Sequence, residues 1–431
     1  MSYGRSHLAA ARAAVLAALA AAGCGGSRVV SGAVPATGAP AVAAVPPRPA
    51  LPPGSDTCDP FAYYRFGRSA LDDHPAAAAA AFYWMQRLAP ANPLGYYAER
   101  VALLMADKRL MRGYLEEDDR TLASDRVRQI DSLLVRAIML DPFFARAEDE
   151  NLLMAYLVLK IGNDIRSQAT PTQFVSDAEI RAYIQEWVEE SADSTTRGWY
   201  AFARSEYRDA AAYWVPELRR HPRDTHLRAR RAQALFLAGD LDSARVELDT
   251  ALADARRADA QRMRYAYDSK VLWEYERGRI RERQNDGAGA RQAYEAALVE
   301  DISFYPAHIR LGYVAARAGD TATAITELER ALQIRDDDFS ARLYLGLLQS
   351  ARGAYGPAAQ ELQRAAEVEP WVALTHYALA DARRKGGDRD GAAAEYRRYL
   401  ALAARTDPNL ADARQRLVEL AAPPAAPPSP R

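Results

Sequence analysis

The strongest constraint on this chain is a period. The segment LGYVAARAGDTATAITELERALQI from Leu311 realigns on LGLLQSARGAYGPAAQELQRAAEV from Leu345 and on LADARRKGGDRDGAAAEYRRYLAL from Leu379, each 34 residues after the one before. A unit this short cannot bury an apolar face by itself, so neighbours must stack and share a continuous core. Within each unit, two helical patterns flank a turn at Gly319-Asp320, Gly353-Ala354 or Gly387-Asp388, where glycine accepts a left-handed backbone at little cost. Small residues recur in columns: Gly278, Gly312, Gly346 and Ala380; Ala290, Ala324, Ala358 and Ala392; Ala297, Ala331 and Ala365, with Tyr399 departing from the third. Small side chains let helix axes approach, and Tyr294, Leu328, Leu362 and Tyr396 fill the space between them.

These columns and their spacing resemble the tetratricopeptide repeat (TPR) family. The resemblance implies an all-α, right-handed superhelical solenoid of helix-turn-helix pairs. It covers 271–403 in register and 61–252 loosely, departing at Glu274 and Arg277, where the family prefers other residues. Degenerate units show at Gly239-Asp240-Leu241 with Ala244, Leu248 and Ala251, and at Tyr207, Ala210 and Trp214 with Pro222. Others show at Ala137–Pro142 and at Ala78, Phe82, Met85, Leu88 and Pro90. Insertions break the period between them. The last helix, Ala411–Ala421, has no partner and reads as a C-terminal cap. The expected organisation is a signal over 1–24, a tether over 25–56, a degenerate helical region over 57–252 and an insertion over 253–270. A regular array with its cap follows over 271–421, then a tail over 422–431.

The resemblance also implies a binding face, because the first helix of each family pair lines a groove. Carried over unit by unit, its positions fall on Tyr275, Arg279, Arg283 and Glu282; on Ile309, Tyr313, Arg317 and Ala316; on Leu343, Leu347, Ser350 and Ala351; and on Tyr377, Asp381, Arg384 and Lys385. Basic, aromatic ends flank an apolar centre. Such a face suits a protein or peptide partner with an apolar anchor and acidic groups, since arginine forks grip carboxylates and tyrosine offers amphipathic contact. The alternative is a solvated inner face. Only four of the basic residues are lysines, the mark of a coding bias toward arginine.

The N-terminus carries an address. Arg5 and Arg12 precede an apolar run from Ala13 to Ala22 and then Gly23-Cys24, the layout of a secretory signal. That run is too short for a bilayer core, which takes roughly 20 residues. Ala21-Ala22-Gly23-Cys24 resembles a bacterial lipobox, with Ala21 where the family usually has leucine. The resemblance implies a lipid on Cys24, and Gly25 in the next position favours outer-membrane sorting. An ordinary cleaved signal or an alanine-rich leader on a cytoplasmic protein is the alternative. Residues 25–56, rich in Pro, Ala, Gly and Ser, cannot bury enough surface to fold, and span about 30 Å as a coil. With Cys24 lipidated, Cys58 has no partner for an internal disulfide.

No motif for catalysis, nucleotide binding or zinc binding stands in the chain. The balance of 56 Lys+Arg against 57 Asp+Glu gives no reason to expect nucleic acid. His308 and His376 share a repeat column, but two repeats separate them too far for one metal ion. Asp336-Asp337-Asp338 reads as a turn whose last member caps the helix at Phe339, and Asp388-Arg389-Asp390-Gly391 as another turn. The expectation is thus a non-enzymatic scaffold without cofactor or metal, reaching the membrane only through its lipid and facing the periplasm. An accessory or substrate-recruiting subunit of an envelope enzyme complex, or a cytoplasmic regulator, is the alternative.

Overall fold

The computed structural model describes residues 45–168, 176–261 and 269–421. The signal with Cys24, the tether as far as residue 44, and the tail over 422–431 lie outside the described residues. The described chain is all α, with no strand. It opens with α1 (Pro60–Ala70), α2 (Pro75–Leu88), α3 (Pro93–Ala106), α4 (Lys108–Leu115), α5 (Asp119–Leu122) and α6 (Asp125–Leu140). After a loop come α7 (Asp149–Gln168), α8 (Asp177–Ser191), α9 (Ser194–Ala203), α10 (Tyr207–Tyr213), α11 (Val215–Arg220), α12 (Thr225–Leu237), α13 (Leu241–Gln261) and α14 (Val271–Arg283). The regular array follows as α15 (Gly287–Glu300), α16 (Tyr305–Arg317), α17 (Thr321–Ile334), α18 (Phe339–Ala351), α19 (Tyr355–Val368), α20 (Ala373–Lys385) and α21 (Arg389–Leu402), closed by α22 (Leu410–Ala421). The insertion expected over 253–270 begins as a continuation of α13, which runs unbroken to Gln261.

The chain divides into two compact units: one holds 65–83 and 92–286, the other 50–64, 84–91 and 287–421. The core of the first gathers Phe143, Phe202, Trp214, Phe236, Leu248 and Ile280, all nearly sealed from solvent. Gly198 allows this packing, because a Cβ there would stand 2.4 Å from the Trp214 indole nitrogen. In the second unit, α16 pairs with α17, α18 with α19, and α20 with α21. The small column works as its residues require: a Cβ on Gly346 would lie 2.6 Å from Leu362 Cγ, and one on Gly312 3.0 Å from Leu328 Cγ. Tyr399 breaks its alanine column because the next layer is the cap. It is buried with Tyr396 and Ala413, and its hydroxyl donates to Asp407 at 2.6 Å. Arg389 in turn donates to the terminal carbonyls of Glu419 and Leu420 on α22, satisfying acceptors that a helix end leaves open.

A turn column runs through both units. Positive φ occurs at Ser205, Gly239, Asn285, Gly319, Gly353 and Gly387. Each lies 34 residues after the one before, except that 46 separate Gly239 from Asn285, so the insertion adds twelve residues. A second column is an ion pair between the two helices of a pair. Arg228–Glu247 (2.9 Å), His308–Glu327 (2.7 Å), Arg342–Glu361 (2.7 Å) and His376–Glu395 (2.7 Å) each span 19 residues. The two histidines are therefore interhelix pairing residues, and among the described residues no cluster is placed to hold a metal. Burial alone would raise Glu395, but the hydrogen bond from His376 and the charges of Arg398 and Arg383 hold its carboxyl below the usual range. Glu327 is held down in the same way by His308 and Arg330. Asp338 caps α18 through Ala341 N–H, and Asp388 caps α21 through Gly391 N–H.

The segment just before α1 is fixed in the second unit. Arg405 donates its backbone N–H to Asp56 at 2.6 Å, and its guanidinium reaches the carbonyls of Gly54 and Ser55. Arg87 pairs with Glu369 at 3.1 Å, and the Trp84 and Trp371 rings meet edge to face at 5.3 Å. Cys58 is half-buried, its thiol 3.8 Å from the Ala401 carbonyl.

Candidate interaction groove

The first helix of each pair presents one face at fixed offsets from its small residue, and the two units use that face differently. In the first unit it is covered by the chain itself. The loop joining α6 to α7 is irregular yet mostly buried, with Phe143, Phe144, Arg146 and Glu148 all under 5% exposed. Buried loop backbone needs partners, and the groove positions supply them. Gln233 on α12 donates to the Pro142 carbonyl at 3.2 Å, and Arg279 on α14 donates to the Leu140 carbonyl at 3.4 Å. Arg279 also pairs with the Asp141 carboxylate at 3.0 Å. Phe143 stacks on Phe236 at 4.1 Å, and the Arg283 guanidinium lies 4.7 Å from the centre of that same Phe236 ring. Tyr275 is 1% exposed and belongs to the interior.

Beneath the loop lies a layer of charge. The Arg146 guanidinium sits over the Tyr97 and Phe144 rings, and Tyr97 hydrogen-bonds the buried Asp149. Glu276 on α14 is half-buried in the field of Arg230, Arg146 and Asp141; desolvation dominates and pushes its carboxyl up to about 8. Desolvation likewise raises Asp149 above the ordinary aspartate range, against the pull of Arg146 and of the Tyr97 hydrogen bond.

In the second unit the same offsets reach the surface. Tyr313 on α16 and Tyr344 on α18 face each other with ring centres 6.5 Å apart. The Arg310 and Arg317 guanidinium groups lie 4.7 and 5.9 Å from the Tyr313 ring centre, within range of cation–π attraction. Tyr344 and Leu347 are more than a third exposed, and Leu374 on α20 nearly half. Ile309 and Leu343 sit lower, packed into the cores beneath α16 and α18. At the far end Tyr377 donates to Asp412 of the cap at 2.8 Å and packs on Tyr399. Arg384 and Lys385 both hold Asp381, at 2.6 and 2.7 Å.

The structure therefore brings Tyr313, Arg317 and Leu347 together on an exposed face. It places Tyr275 in the interior, Arg279 against the chain's own loop, Arg283 over the Phe236 ring of α12, and Tyr377 under the cap. Three residues of this face were not among the sequence candidates: Arg310 and Tyr344, two positions before the small residue, and Leu374, six before it. For Tyr344 and Leu374 the signal that could have found them is an aromatic or apolar side chain on a helix whose buried face was already accounted for.

The tetratricopeptide repeat family model matches residues 195–262, 275–339 and 309–371. These segments are tetratricopeptide repeats. The matched stretches begin with α9 and end at the loop before α20, so TPR units occur in both parts of the chain. Solved structures that this chain is similar to include YrrB, described as a TPR protein with an unusual peptide-binding site, at 19% identity over 48% of this chain and all of that one (TM-score 0.39). The protein pilF of Pseudomonas aeruginosa matches at 18% identity over 55% of this chain and 98% of that one (TM-score 0.41). The C-terminal part of a TPR protein from Cytophaga hutchinsonii matches at 17% identity, 52% of this chain and 83% of that one (TM-score 0.43). No curated protein matches the sequence. TPR arrays serve as scaffolds for protein–protein interaction, and among the described residues no helix is long and apolar enough to cross a membrane.

Proposed function

We propose that this chain is a lipid-anchored scaffold of the bacterial envelope, holding a protein or peptide partner on the groove face of α16 and α18. The observation that carries the reading is the meeting of Tyr313 and Tyr344 with Arg310, Arg317 and Leu347 on one exposed face of a repeat array. Aromatic and arginine side chains are the types that dominate interface energetics. The anchor rests on Ala21-Ala22-Gly23-Cys24 and on the apolar run before it. Outer-membrane placement, with the repeats in the periplasm, follows from Gly25 after the cysteine.

A photo-crosslinking residue in place of Tyr344 should capture a partner in intact cells, and Leu347→Glu should remove that adduct. An unchanged adduct in the Leu347→Glu chain sinks the groove assignment. Cys24→Ala should abolish palmitate incorporation and release the chain from membranes. Persistent membrane association of that variant overturns the anchor.

A further inference from the structure

The first unit holds a buried cation that meets rings and no acceptor. Arg146, in the irregular loop between α6 and α7, is 4% exposed, and its carbonyl is fixed by the Asp149 N–H at 3.1 Å. Its guanidinium lies 5.5 Å from the Tyr97 ring centre and 5.1 Å from that of Phe144. Rings attract the charge but give the N–H donors of an arginine no lone pair. Nε is buried without a hydrogen-bond partner, and among the described residues no carboxylate pairs with this guanidinium. The nearby Asp149 is engaged by the Tyr97 hydroxyl instead. Burying a charge is costly unless it is paired and hydrogen-bonded, so such a group calls for a bound counter-ion.

Glu276 on α14 is the second member. It is half-buried, forms no hydrogen bond or ion pair among the described residues, and lies in the field of Arg230 from α12 and of Arg146 and Asp141 from the loop. Arg146 and Glu276 thus feel each other's charge without touching, a spacing that a bridging ion suits. We infer that the Arg146 guanidinium and the Glu276 carboxyl form a binding site for a small monovalent anion of halide or nitrate size. The loop around it selects for small ions, since Phe143, Phe144 and Arg146 are all under 5% exposed. Asp149 and Asp141 stand near enough to penalise a doubly charged oxyanion. Burial keeps Glu276 protonated up to about 8, so its O–H donates to the ion. Once ionised, Glu276 supplies the negative charge itself and the ion is expelled. Arg146 belongs to no repeat, and the site is independent of the exposed face of α16 and α18.

The test uses the full chain in gluconate, an anion too large for the site, titrated with chloride at constant ionic strength and followed by the chlorine NMR line width. Saturable broadening is expected at neutral pH, displaced by bromide or nitrate and far less by sulfate. Affinity should fall about tenfold for each pH unit above 8, because one proton is linked to one ion. Arg146→Met should remove the broadening, while Glu276→Gln should keep it and abolish the pH dependence. Circular dichroism shows whether Arg146→Met is folded; if it is not, Glu276→Gln decides alone, and an unchanged pH slope in that variant overturns the inference. The absence of saturable broadening in the unaltered chain, or equal broadening in folded Arg146→Met, also overturns it, since water would then serve the guanidinium. Displacement by sulfate as effective as by nitrate overturns it as well.

Discussion

The two units present homologous faces in opposite conditions. On α12 and α14 the face is covered by eight residues of loop, whose aromatic rings are as buried as any core residue. On α16 and α18 the face ends in Tyr344 and Leu347, each more than a third exposed. The repeat thus supplies a surface, and local sequence decides whether it becomes core or stays exposed. Phe143 makes the first face part of a hydrophobic cluster, while the turn before α18 is the polar Arg335-Asp336-Asp337-Asp338.

The largest expected break in this contrast is Phe143→Ala. It should destabilise the first unit by about 3–5 kcal/mol, the range for a buried phenylalanine that leaves a cavity. Hydrogen exchange should show the loss in α12 and α14, with exchange in α18 to α22 changed far less; equal loss in both units would mean they unfold as one. A second test is pH, because Glu276 in the first unit and Glu327 and Glu395 in the second are shifted in opposite directions. Glu276 is raised to about 8, so its contribution is fully present below the unfolded value near 4.3 and is lost as pH rises toward 8. Glu327 and Glu395 are depressed, so their contribution is present above that same value and is lost as pH falls through the folded one. Between pH 5 and 8.5 the first unit should weaken by about 1–3 kcal/mol, discounted for partial exposure. Glu276→Gln should flatten that slope. Below pH 4.5 the second unit should weaken, and His376→Ala should blunt its response. Exchange rates followed per helix across pH read both slopes, and slopes of the same sign in both units would refute the assignment. The smallest effect is Leu347→Ser, expected to shift stability by no more than about 0.5 kcal/mol, since the side chain is already exposed; a larger loss would show that this face packs like the first.

The legible and illegible parts of this protein separate along physical lines. Repeat period, small columns and cap were readable because each is a local pattern, and Leu311, Leu345 and Leu379 keep strict register. Turn positions were readable only where glycine marks them. Ser205 and Asn285 adopt the same left-handed backbone without that mark, which hid the twelve-residue length of the insertion. The His308 column was visible, but its glutamate partners 19 residues on were not recognised as a column. The covered groove was out of reach for a different reason. Gln233 meets Pro142 across 91 residues of sequence, and nothing local to Arg279 says that Asp141 will occupy it.

The contact at Arg405 ties the incoming chain to the second unit. Chain arriving from the N-terminal side is held at Gly54, Ser55 and Asp56 by one arginine in the loop between α21 and α22. A pull on that incoming chain is met by these three hydrogen bonds before it reaches α1. Tension would therefore be delivered to the last pair and its cap, and the load path would run from the C-terminal end of the array inward, bypassing the helices that follow in sequence.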